Sequence, residues 1–146
     1  MVTDLNLQWA SSGLQGSLPS YGSFLSWSDA AISPFRKRAE VTIRIVDEKE
    51  SRTLNHEYRG KDQSTNVLSF PFQPHSGISF YLLGDIVICH QVVEREVERY
   101  GYDLSARWAR LVIHGSLHLL GYDHISDEDA REMEGIESHI LLRLGF

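Results

Sequence analysis

Polar and apolar positions switch period several times along the chain. LNLQWA, residues 5–10, alternates apolar with polar and predicts a first strand. GLQGSLPS, residues 13–20, holds two glycines and Pro19 and predicts a turn. Phe24, Trp27, Ala31 and Ile32 then recur at helical spacing, with Pro34 marking the exit. VTIRIVD, residues 41–47, returns to a period of two and puts Val41, Ile43 and Ile45 on one face of a strand. Asp47 can cap a helix beginning at Glu48, because its carboxylate accepts from the free backbone N–H groups there. That helix is expected to reach Tyr58 and stop at Gly60. NVLSFPF predicts another strand, and its Pro71 places it at a sheet edge or makes it a strand end. QPHSG predicts a loop. LLGDIVICH reads as a strand feeding the helix QVVEREVERYG, whose Gly101 suits a left-handed cap.

The next helix is predicted from Ser105 to Leu120, and apolar residues almost encircle it. Trp108, Val112 and Leu119 lie on one side, and Ile113, Leu117 and Leu120 on another, so it is a buried helix. A last helix starts at Ser126, where Asp127, Glu128 and Asp129 complement its positive end. Ala130, Met133, Ile136, Ile140, Leu141 and Leu144 give it an apolar stripe. Strands interleaved with helices predict an α/β (α+β) fold, a mixed sheet of about four strands covered by helices. At 146 residues one domain, 1–146, is expected.

Composition narrows this only a little. A hydrophobic fraction of 42% and a charged fraction of 23% are those of an ordinary globular protein. The formal net charge of −6 argues against broad electrostatic adhesion to nucleic acid, although a local basic cleft stays compatible with it. The single cysteine, Cys89, excludes an internal disulfide framework and reads as a buried inert thiol in the apolar run GDIVICH. MVTDLNLQWA has an early Asp4 and neither the basic nor the apolar region of a secretory signal. The longest apolar stretch, Leu111 to Leu120, is interrupted by two histidines and is too short to span a bilayer. A cytoplasmic soluble protein is expected, with no membrane partner.

One stretch changes the picture. HGSLHLLGYDH, residues 114–124, concentrates three histidines in the pattern H-x3-H-x5-H. Positions i and i+4 of a helix lie one above the other, so His114 and His118 face the same way and can reach one ion. Gly121 falls on that face and can end the helix at positive φ, letting the chain return His124 to the ion. Three neutral imidazoles suit Zn²⁺ and leave a fourth position for water, the arrangement of a catalytic site. Buried without partners, each imidazole would cost ~1–3 kcal/mol; a metal satisfies all three together. The spacing matches that of metzincin proteases, but Gly115 stands where those enzymes carry their glutamate base, so peptide hydrolysis is disfavoured.

Other polar residues keep two readings each. Asp123 either orients an imidazole or is a turn residue, and Asp85 either starts a strand or lines the cleft. YRGKD, residues 58–62, is a solvated helix end capped by glycine or, beside a metal, a phosphate-binding pair of cations around Gly60. Arg107 and Arg110 lie toward the histidine face and are read as pairing with acidic neighbours. Arg36, Lys37 and Arg38 form a solvated basic turn, and His56, His75, His90 and His139 are read as structural.

HGSLHLLGYDH, LNHEYRGKDQSTNVLSFPF and LLGDIVICHQVVERE together resemble the bacterial YbeY family of ribosomal-RNA maturation endoribonucleases. The resemblance runs from VTIRIVDE to the C-terminal helix and is weakest over the first forty residues. It implies a zincin-like domain with one zinc held by His114, His118 and His124, and Arg59 matches the functional arginine of the family's YRGKD motif. It further implies cleavage of single-stranded RNA, processing of 16S rRNA at its 3′ end, ribosome quality control, and ribosomal proteins or assembly factors as partners. His114 and Arg59 are the expected catalytic residues. The alternatives are a ribosome-assembly factor with a structural zinc and, disfavoured by Gly115, a metalloprotease.

Overall fold

The computed structural model of the chain describes residues 1–11, 18–73 and 81–146. The predicted QPHSG loop with His75, and most of the GLQGSLPS turn, lie outside the described residues. The elements run β1 (Thr3–Trp9), α1 (Tyr21–Ile32), β2 (Ala39–Val46), α2 (Glu48–Arg59), β3 (Val67–Pro71), β4 (Leu82–Cys89), α3 (His90–Tyr100), α4 (Leu104–Leu119) and α5 (Asp127–Arg143). Each predicted element is present. β1 starts two residues earlier than the alternation alone indicates, because Thr3 and Asp4 pair with Ala39 and Glu40 of β2.

The four strands form one mixed sheet in the order β1-β2-β4-β3. β1 with β2 and β2 with β4 are parallel, whereas β3 runs antiparallel to β4 at the sheet edge. Pro71 is the last residue of that edge strand, where its missing N–H breaks no ladder.

Strand alternation sorts side chains onto two faces. Val41, Ile43 and Ile45 of β2, with Ile86 and Ile88 of β4, join the larger core beneath α1 and α4. Val46, Leu68, Val87 and Cys89 form a smaller core on the other face, where Leu54 of α2 packs. At the centre of the larger core Phe24 meets Trp108, Trp27 and Trp9 edge-on, at centroid distances of 5.7, 5.8 and 6.0 Å. Burying one such ring stabilises by about 1.5–3 kcal/mol, so this cluster anchors α4 firmly against α1.

α4 is buried on most of its surface, as its sequence predicts: Trp108, Val112, Ile113 and Leu117 are in the core. Its remaining face carries Arg107, Arg110, His114 and His118, spaced three to four residues apart. Gly115 lies against the sheet, and a Cβ there would come within 2.8 Å of the Ile86 methyl Cγ2. Any side chain at 115, a glutamate base included, would therefore require the buried Ile86 to shift.

Caps fix the helix ends that matter for the site. Asp103 accepts from the Ala106 N–H at the start of α4, and Ser126 accepts from the Asp129 N–H at the start of α5. Asp47 caps α2 through the Glu50 N–H, and the α2 C-terminus closes at Gly60 in the left-handed conformation.

Candidate metal centre

The turn after α4 is built by backbone hydrogen bonds. The Gly121 N–H donates to the His118 carbonyl at 3.0 Å, and the Tyr122 N–H donates to the Leu117 carbonyl at 3.0 Å. Gly121 has φ +106°, a conformation that L side chains rarely adopt, so the reversal requires glycine here. The chain then doubles back and sets the His124 ring beside the other two.

The three rings converge. His114 Nε2 lies 3.0 Å from His118 Nε2, and His118 Nε2 lies 3.2 Å from His124 Nδ1. One nitrogen from each ring falls within 4.8 Å of the others. Tetrahedral ligands at about 2.0–2.1 Å from a zinc ion sit roughly 3.3–3.4 Å apart, so the donor set fits one ion. His114 and His118 are half-buried and His124 is exposed, which leaves the cluster open to solvent on one side.

The protonation state of His118 also favours a cation. Burial, then the neighbouring charges of His114 and His124, and with them Arg59, hold His118 down to about 4. At neutral pH its ring is the neutral form that binds metal.

Arg59 reaches this region from the other side of the sheet edge. Tyr58 packs edge-on against Phe70 of β3 at 5.0 Å between centroids, tying the end of α2 to the edge strand. α4 lies over the same strand, and the Ser69 hydroxyl donates to the Gly115 carbonyl at 3.4 Å. The exposed Arg59 thus ends α2 close enough for its charge to act on His118. Of its neighbours in YRGKD, Gly60 is the helix cap and Asp62 pairs with Arg52 at 2.7 Å.

The remaining candidates resolve as follows. Asp123 accepts from the Ile125 N–H at 3.3 Å and is a turn residue. Asp85 is inside β4 beside Thr42 and Phe70, on the face opposite Ile86, and is not part of the histidine cleft. Arg107 pairs with Glu96 at 3.1 Å and Arg110 with Glu137 at 2.9 Å, as expected of them. Arg36, Lys37 and Arg38 are exposed, and Arg38 stacks over the Tyr81 ring. His90 is buried beside Ser11 and Glu94, and Cys89 is buried.

A residue that the sequence reading passed over also touches the site. Glu137 of α5 places Oε1 2.5 Å from His114 Nδ1. Its signal was a carboxylate inside an apolar stripe, between Met133 and Ile140, with no basic residue one turn away on its own helix. A cleft of about 450 Å³ opens beside His114 and His124, walled by Arg107, Arg110, Met133 and Glu134.

The fold is similar to the solution structure of TM1509 from Thermotoga maritima, with a TM-score of 0.61 and 26% identity over 93% of this chain and 87% of that one. The family model for endoribonuclease YbeY matches residues 24–145. The chain belongs to the YbeY endoribonuclease family. RNA is accordingly the substrate class to set against the site, and the YbeY match spans α2, the edge strand and the histidine turn. Among the described residues, no helix is long and apolar enough to cross a membrane.

Proposed function

We propose that this chain is a zinc-dependent endoribonuclease, one domain over residues 1–146, that cleaves single-stranded RNA in the cytoplasm. Its substrate is the 3′ end of 16S rRNA, and it serves ribosome maturation and quality control together with ribosomal proteins or assembly factors. The observation that carries the reading is the convergence of three imidazole nitrogens within 4.8 Å in a YbeY-family chain.

In this reading His114, His118 and His124 hold one Zn²⁺ per chain. When bound, the ion would supply a Lewis acid, either lowering the pKa of a water or polarising a phosphoryl oxygen. Arg59 offers a planar fork to the phosphate and neutralises charge as it builds on the non-bridging oxygens. His114 belongs to the catalytic set because, with His124, it lines the open cleft beside the cluster. Gly115 leaves no glutamate at the position of the protease base, and no general base is assigned; water and the substrate's neighbouring 2′-hydroxyl are the two candidate nucleophiles. Product ends separate the two nucleophiles: a 2′,3′-cyclic phosphate means attack by the neighbouring 2′-hydroxyl, and a direct linear phosphate means attack by water.

Gly115 also favours a second reading, an assembly factor with a structural zinc. The deciding experiment measures zinc content and single-stranded RNA cleavage for the unaltered chain and for His114→Ala, each checked for folding. One zinc per chain, with metal-dependent cleavage lost in a folded variant, is the expected result. Bound zinc with no cleavage above the variant's background, on free RNA and on ribosomal precursor particles alike, would overturn it in favour of the assembly factor.

A further inference from the structure

We infer that Glu137 is a positioning residue for His114, fixing which ring nitrogen of that histidine faces the metal. The inference rests on the metal reading of the three histidines. Glu137 is only 3% exposed and comes from α5, which packs against α4. A carboxylate so deeply buried is costly unless both oxygens are matched. Both are. Oε2 accepts from Arg110 Nη1 at 2.9 Å, and Oε1 lies 2.5 Å from His114 Nδ1.

Charge balance alone requires only the first of these contacts. Arg110 already compensates Glu137, and it reaches Ser138 Oγ at 3.4 Å as well. The second contact does something else. A carboxylate accepts, so His114 must present Nδ1–H to it, and its lone pair is then on Nε2. That is the nitrogen 3.0 Å from His118 Nε2. The same contact holds the ring plane and makes Nε2 a better donor. Arg110 and His114 stand one turn apart on α4, so a single α5 side chain spans both and fixes the register of the two helices at the cluster.

The test uses Glu137→Gln, which keeps the volume but can donate as well as accept. Zinc affinity of the full chain is measured by competition with a chromogenic chelator. The His114 tautomer is read by ¹⁵N chemical shifts in the zinc-free protein. The expected result is a dissociation constant weaker by about 10–100-fold and a mixed tautomer, at a thermal midpoint near that of the unaltered zinc-free chain. Affinity within about twofold of the unaltered chain, with the tautomer unchanged, overturns the inference and leaves the metal reading intact. An unaltered chain that binds no zinc overturns both. If the variant does not fold, the unaltered zinc-free chain decides: Nδ1–H on His114 is expected, and Nε2–H overturns the inference.

Discussion

Removing the Arg59 guanidinium separates phosphate binding from metal binding, because Arg59 acts on His118 through charge and not through a shared ligand atom. Arg59→Ala is expected to lower kcat/KM for single-stranded RNA by about 10²–10³-fold, the usual cost of losing one donor to a transition-state oxygen. Zinc content stays at one per chain, and Arg59→Lys recovers part of the rate. Cleavage kinetics beside zinc analysis check this; an unchanged kcat/KM removes Arg59 from the mechanism. Asp85 tests a different residue-scale force. Desolvation raises its carboxyl above the ordinary range, and the Thr42 hydrogen bond only partly opposes this. A folded pKa above the unfolded one means stability falls as pH rises through that window, so at neutral pH the ionised Asp85 opposes folding. Asp85→Asn can keep the Thr42 contact and should raise Tm by about 1–2 °C near pH 7, with no gain below about pH 3. Melting curves at the two pH values check it, and a gain that persists in acid would point to packing instead. At this scale the convergence of the three histidines was legible because its geometry is local, one helical turn and one glycine reversal. Glu137 was not, because its partner is 23 positions away and only the docking of α5 on α4 joins them.

α4 carries two of the three clustered histidines, yet its place does not depend on them. Trp108 packs edge-on against Phe24, Ile113 and Leu117 are wholly buried, and Gly115 lies on Ile86. The two histidines sit on the one face that the core leaves free. Removing zinc should therefore leave the helices and the sheet in place. Linkage predicts a Tm lower by about 5–10 °C on chelation from a saturating concentration, reversed when zinc is restored. Circular dichroism during a chelator titration checks this. Loss of most helical signal at room temperature is the behaviour of a structural site, in which metal binding supplies the folding energy, and would sink the catalytic reading. The elements themselves were legible from period and caps, since Asp47, Gly60, Pro71, Gly101 and Ser126 all mark ends that the structure keeps. The strand order β1-β2-β4-β3 was not, because alternation assigns faces but says nothing of neighbours. The placement of Arg59 follows from that order. Only with β3 at the edge, between α4 and the end of α2, does YRGKD come near the histidines.

The whole molecule sets a limit on what the site can do alone. Its formal net charge is −6, and Arg44, Arg52, Arg95, Arg107 and Arg110 are each already paired with a carboxylate. Of the other nine lysines and arginines, Arg59 is the one whose charge acts on His118, so few cations at the site itself can displace counterions from RNA. For single strands the slope of log K against log salt is about −0.7 per neutralised phosphate. With Arg59 and one or two neighbours engaged, a slope of about −1 to −2 is expected, together with weak binding at physiological salt. Affinity so small cannot single out one site in a ribosomal RNA, because each discriminating contact would have to come from a handful of groups. The proposed function then expects selection to come from ribosomal proteins or assembly factors that hold the RNA end against the cluster. The check is binding of the isolated chain to its rRNA site and to a scrambled strand across a salt series, followed by cleavage of precursor particles. The expected result is near-equal affinity for the two strands and accurate cleavage only in the particle. A slope steeper than about −4, with preference for the natural site in isolation, would mean that a continuous cationic surface on this chain reads the RNA by itself.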